Sequence, residues 1–174
     1  MKNDGITETL SLQRKIADIL LKSSSTLSVA ESCTGGMISH IVTSISGASA
    51  YYLGAVCSYA IAIKEKVLGV ASEIIRQNGV VSREVAEAMA EGVRKLMGST
   101  YSIATTGLAG PGGDEFNPEG TVWIAVSGPK GSISRKKIMQ GDRAQNIVSF
   151  THEALLLLYE YLVDTTEVQT TGQS

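Results

Sequence analysis

Apolar runs of strand length alternate along this chain with segments of helical period, and that alternation restricts the fold more than any other feature. Residues 7–22 put Leu12, Ile16, Ile19 and Leu20 on one helical face, and Ser23-Ser24-Ser25 breaks the pattern. Thr26 to Ala30 reads as a short buried strand, and beyond Gly35-Gly36 the residues Met37, Ile38, Ile41 and Val42 return to helical spacing. Gly54 to Ile63 is almost unbroken in apolar and small residues, as in a strand covered on both faces. Lys64 to Gly69 reads as one helical turn closed by glycine. Ser82 is placed to cap a helix with Val85, Met89, Val93 and Leu96 facing inward and Gly98 ending it.

The second half continues the alternation. Tyr101 to Thr106 is a strand that runs into Gly107-Leu108-Ala109-Gly110-Pro111-Gly112-Gly113. Thr121–Ser127 and Ser132–Met139 flank Gly128-Pro129-Lys130-Gly131 as a hairpin. Asp142 caps the last long helix, with Gln145 at the capping-box position and Val148, Leu155, Leu158 and Leu162 on its apolar face. The expectation is α/β: a three-layer α/β/α sandwich on a mixed, mostly parallel sheet with one antiparallel hairpin. Residues 1–163 form one domain, and 164–174, rich in Thr, Gln and Gly, form a disordered tail.

Charge and cysteine content narrow the function. Fifteen basic and 17 acidic residues are mixed along the chain, which leaves no basic stripe for nucleic acid. Arg135-Lys136-Lys137 is the only basic triplet, and a solvated strand end accounts for it. Cys33 and Cys57 are not at metal-ligand spacing, and with two His they make no zinc motif. No run approaches the ~18 apolar residues that span a bilayer, and Met1 to Gly5 carries no signal-peptide core. A cytoplasmic protein with no metal or cofactor is expected, with no footprint for nucleic acid or membrane.

Two polar loops follow strands, and in open α/β sheets ligands sit beyond the carboxyl ends of the strands. The glycine-rich loop 107–113 is neither a Walker A loop nor a dinucleotide fingerprint. It is either an anion nest for a phosphate or a plain connection. In Ala30-Glu31-Ser32-Cys33-Thr34-Gly35-Gly36, Ser32 is either a helix cap or a nucleophile. A nucleophile needs a base. His40 and His152 lie on expected helices; Lys64 follows Ala60-Ile61-Ala62-Ile63, whose apolar surroundings could depress its pKa, with Lys66 as a competitor on the same turn. Ser134-Arg135-Lys136-Lys137 matches S-x-x-K, but in a strand i and i+3 point to opposite faces, so it is rejected.

Taken in order, several segments together resemble the CinA C-terminal domain family, which includes stand-alone PncC-type nicotinamide-nucleotide amidases. They are Ala30–Gly36, Ser46-Gly47-Ala48-Ser49-Ala50-Tyr51, Tyr59 with Lys64, Leu68-Gly69-Val70 and Gly79-Val80-Val81-Ser82. Thr106–Gly113, Gly120-Thr121-Val122-Trp123 and Gly141-Asp142-Arg143 complete the set. The resemblance implies hydrolysis of the carboxamide of nicotinamide mononucleotide to nicotinate mononucleotide and ammonia, without a metal, on the same sandwich fold. It implies Ser32 as nucleophile, Lys64 as base and Tyr59 as the partner of that base. It places Glu31, Cys33, Thr34, Gly35, Gly36, Thr106, Gly107, Gly110, Gly112, Gly113 and Arg143 on the substrate, and it implies a homo-oligomer. The chain has Ala60-Ile61, Asn117 and Ile147 where the family pattern has Ser-Asn, Lys and Arg. With two cations fewer, the alternative is a catalytically weak or inactive nucleotide- or phosphosugar-binding domain.

Overall fold

The structure, a computed structural model, describes residues 4–171. Six helices and five strands follow one another as α1 (Asp4–Lys22), β1 (Leu27–Glu31), α2 (Met37–Thr43), β2 (Tyr52–Cys57), α3 (Ile61–Lys66), α4 (Ser72–Asn78), α5 (Arg83–Met97), β3 (Tyr101–Gly107), β4 (Thr121–Gly128), β5 (Gly131–Ile138) and α6 (Arg143–Thr171). The sheet order is β2-β1-β3-β4-β5. β1 pairs in parallel with β2 and with β3, while β3–β4 and β4–β5 are antiparallel. Only β4 runs against the other four strands. The antiparallel part is therefore wider than the single hairpin expected: β3–β4 joins it through the long glycine loop.

The two sheet faces differ in side-chain size, and this sets the layers. On one face Val29, Ile103 and Val126 lie in one row and pack with Ile16, Leu20, Ile38, Phe150 and Leu155 from α1, α2 and α6. Each fully buried aliphatic side chain of this kind contributes about 1.5–3 kcal/mol. On the other face the rows are Ser28–Ser102–Ser127 and Ala30–Ala104–Ala125. That floor of small residues lets α5 come close, with Ala86 and Ala90 buried against it and Ser102 Oγ donating to the Ala90 carbonyl at 2.7 Å. The result is the α/β/α sandwich.

Local signals explain most element ends. Ser82 Oγ accepts from Val85 N, and Gly98, at φ +65°, closes α5. Asp142 and Gln145 form a reciprocal box: Gln145 N donates to Asp142 Oδ1, and Asp142 N donates to Gln145 Oε1, each at 2.9 Å.

Five readings differ from the structure. The apolar run 54–63 is not one strand: β2 ends at Cys57, and Ile61 begins α3, which carries Lys64. A short apolar run has no period that tells strand from helix. Nor is β2 covered on both faces; it is the sheet's edge, with alternate residues exposed. Leu96, expected to face inward, is exposed, and the α4 helix was not expected at all. Helix α6 runs to Thr171 across most of the segment read as a tail, and residues 172–174 lie outside the described residues.

Candidate active site

Strand direction gathers the chemistry. β2, β1 and β3 are mutually parallel, so Cys57, Glu31 and Gly107 all end at one edge of the sheet. β4 starts and β5 finishes at that edge, which brings Arg143, the first residue of α6, there as well.

Ser32 and Lys64 meet. Lys64 Nζ lies 2.9 Å from Ser32 Oγ and donates to the Ser58 carbonyl at 2.5 Å. Lys64 is fully buried and Ser32 is 8% exposed. The amine reaches this position because α3 starts three residues after Ser58 and its fourth residue, Lys64, reaches back to Ser32 at the end of β1. Among the described residues no carboxylate is within ion-pair distance of it. Burial pushes the Lys64 pKa below its ordinary 10.5. The free amine is thereby favoured, as a general base requires.

Glu31 is enclosed by the start of α2. It is fully buried, and its carboxylate accepts five hydrogen bonds. Thr34 Oγ1, Gly36 N and Ile38 N donate to Oε2 at 2.7, 2.9 and 3.1 Å, and Ser39 N and Oγ donate to Oε1 at 2.9 and 2.6 Å. These amides are the unpaired donors at the start of α2, so Glu31 caps that helix from the strand before it. Thr105 Oγ1 lies 2.9 Å from Thr34 Oγ1 and extends the network to β3. The Ser32 turn is held from both sides. Replacing Glu31 with Gln turns an amide donor toward two or three donors, a cost of about 3 kcal/mol. Thermal melting is expected to fall by about 10 °C; an unchanged midpoint would remove Glu31 from this role.

Gly35 N donates to the Ser32 carbonyl at 3.2 Å, and Gly36 N is held by Glu31. The amides of Cys33 and Thr34 make no backbone hydrogen bond among the described residues. Cys33 itself is buried, and burial pushes its thiol up to about 12, so it is a neutral packing group at neutral pH.

The glycine loop reaches the same place. A β-carbon on Gly107 would stand 2.5 Å from the Thr121 carbonyl oxygen and 3.2 Å from Cys33 Sγ, so only glycine admits this approach. Thr106, in contrast, is buried with its hydroxyl donating to the Val80 carbonyl at 2.9 Å. Gly113 is packed against the Asn117 backbone, where a β-carbon would meet its carbonyl at 2.4 Å. Arg143 Nη1 donates to the Gly110 carbonyl at 2.6 Å and Nη2 donates to Tyr59 Oη at 3.2 Å. Tyr59 is 67% exposed and has no hydrogen bond to Lys64. Its partner is Arg143; the group that orients the Lys64 amine is the Ser58 carbonyl.

Sequence reasoning missed Ser58, Ser39, Thr105, Asn146 and Lys136. A main-chain carbonyl has no signature, so Ser58 had no sequence signal. Asn146 Nδ2 donates to the Ala109 carbonyl at 3.0 Å and so steadies the loop; its place one residue past the capping box was the available hint. Lys136 Nζ donates to Asn117 Oδ1 at 3.0 Å, bringing a cation from β5 to one position where the family pattern has its own. His40 and His152 do not join the site: His152 Nδ1 lies 3.0 Å from Thr9 Oγ1, and His40 lies on α2. No helix of the described residues is long and apolar enough to cross a membrane.

Comparison with known proteins agrees with this architecture. A CinA-like protein of Salinibacter ruber is 43% identical over 150 residues, covering 86% of this chain and 36% of that protein. A putative competence-damage inducible protein of Desulforamulus reducens is 43% identical over 132 residues, covering 76% and 32%. This chain thus spans about a third of the length of these curated relatives. The crystal structure of competence damage-inducible protein A from Klebsiella pneumoniae superposes with a TM-score of 0.86 at 30% identity, over 89% of this chain and 97% of that one. That of a competence/damage inducible protein from Agrobacterium tumefaciens gives 0.83 at 31%, over 86% and 93%. Residues 9–162 match the CinA C-terminal domain. With the fold, the site order and these matches in agreement, the chain belongs to the CinA C-terminal domain family.

Proposed function

We propose that this chain is an amidohydrolase that releases ammonia from the carboxamide of nicotinamide mononucleotide. The observation that carries the reading is the buried Lys64 amine 2.9 Å from Ser32 Oγ, with no acid to hold it charged. A neutral amine takes the Ser32 proton as Oγ forms a bond to the amide carbon. The carbonyl oxygen takes up the negative charge, and the Cys33 and Thr34 amides, which make no backbone–backbone hydrogen bond among the described residues, are the donors that receive it. The C–N bond then breaks. Lys64 returns the proton to the departing nitrogen, ammonia leaves, and an ester remains on Ser32. Water, activated by the same amine, cleaves the ester to give nicotinate mononucleotide and restores Ser32.

The remaining residues serve binding. The 107–113 loop and Arg143 lie at the same sheet edge and suit the ribose phosphate, and Tyr59 sits beside them on the exposed side. Glu31 and Ser58 position the reacting pair without touching substrate.

The test is ammonia release from nicotinamide mononucleotide by the purified chain as a function of pH. Because the Lys64 pKa is lowered and the free amine is the active form, the rate is expected to rise with pH and level off below 10.5. A rate that nowhere rises with pH below 10.5 would exclude the lysine base. Nucleotide binding with no ammonia would favour the non-catalytic alternative.

A further inference from the structure

The glycine loop already holds an anion of its own. Glu119 Oε2 accepts from Gly112 N at 2.8 Å. Its other oxygen lies against Gly110, at φ +105°, where a β-carbon would stand 2.2 Å from it. Glu119 is exposed and has no cationic partner within ion-pair distance among the described residues. On the other side of Gly110, Arg143 is equally without an acid, its guanidinium being held by the Gly110 carbonyl and Tyr59 Oη. A carboxylate without a cation and a guanidinium without a carboxylate therefore flank one residue. The amide that a ligand's terminal anion would take is taken by Glu119.

We propose that Glu119 determines specificity in this subsite: its carboxylate competes with the substrate phosphate for Gly112 N–H and sets the preference between a nucleotide and the corresponding nucleoside amide. The proposal rests on the amidase reading for the placing of the substrate. A phosphate entering between Gly112 and Arg143 must displace Glu119 and then remain near its charge, since the side chain is tethered at the loop's exit. Like charges a few ångströms apart raise the energy of the bound state. A riboside, which has no phosphate, leaves the Glu119–Gly112 hydrogen bond intact and feels no such repulsion.

Glu119→Gln separates charge from shape, because the amide oxygen still accepts from Gly112 N. Calorimetric titration of nicotinamide mononucleotide and of nicotinamide riboside into the Ser32→Ala chain, with and without Glu119→Gln, reads binding with no turnover. The mononucleotide is expected to bind about fivefold more tightly to the Gln variant, an effect of the size expected for one near-surface charge. The riboside should change by less than about twofold. Thermal melting of both proteins verifies that they fold alike, and Glu119→Ala serves as a second variant. Equal affinities for the mononucleotide in the two proteins overturn the role of Glu119; if the wild-type chain still releases ammonia, the amidase reading stands. A fivefold shift without ammonia release supports Glu119 and overturns the amidase reading. No binding of the mononucleotide to either protein overturns the inference, and with no ammonia it overturns both.

Discussion

Ser32→Ala is expected to lower ammonia release from nicotinamide mononucleotide by about 10⁴-fold or more while the melting temperature stays within a few degrees of wild type. The size follows from what the side chain does in the proposed reaction. Without Oγ there is no covalent intermediate, and positioning together with the backbone amides of Cys33 and Thr34 is all that remains. The small stability effect follows from the surroundings. The turn is held by Glu31 and Thr34 rather than by the Ser32 hydroxyl, whose one close partner is Lys64 Nζ. If Ser32 were only a helix cap the pattern would reverse, with stability lost by about 1 kcal/mol and activity kept. The cap of α2 is Glu31, which favours the first outcome. An Ala variant that turns over normally would end the nucleophile assignment.

Lys64→Met should separate catalysis from folding still more sharply. Removing a general base costs about 10²–10⁴-fold in rate, and kcat should fall by about 10³-fold with little change in KM. The same change replaces a buried amine with an apolar chain of similar length. That relieves the desolvation that lowers the Lys64 pKa, at the cost of leaving the Ser58 carbonyl without its donor, about 1–2 kcal/mol. The two nearly cancel, so the melting temperature should move by no more than a few degrees. The rise of rate with pH should also vanish from the residual activity. A Met variant that keeps the wild-type pH profile would assign that profile to another group.

Patterning along the chain was informative where one local rule decides. The Ser82 and Asp142 caps, the Gly98 stop and the 128–131 hairpin were readable because each depends on residues within four positions of one another. The run 54–63 was misread because its apolar content reflects two different neighbourhoods, an edge strand and a short helix that turns Lys64 inward. Glu31 was placed on the substrate by the family resemblance, and no local pattern marks its carboxylate as buried. Its burial depends on where α2 begins relative to β1, and the helix amides settle the matter by claiming both oxygens. Tyr59 was given to Lys64 by the family resemblance; in the structure its phenol accepts instead from Arg143, 84 residues away.

By itself the sequence determined most of the elements, the sandwich class and the two loops that follow strands, since periodicity and capping are properties of neighbouring residues. Only the tertiary structure decided which groups within those loops face each other. Ser32 and Lys64 meet because β1 and β2 run in parallel and α3 folds back beneath them. Whether an amine 32 residues from a hydroxyl lies 2.9 Å from it, and in a buried place with no carboxylate in ion-pair reach among the described residues, is fixed by packing across the sheet edge. Solvation and proximity, which set the chemistry of a side chain, arise between segments distant in the chain, and no local pattern encodes them.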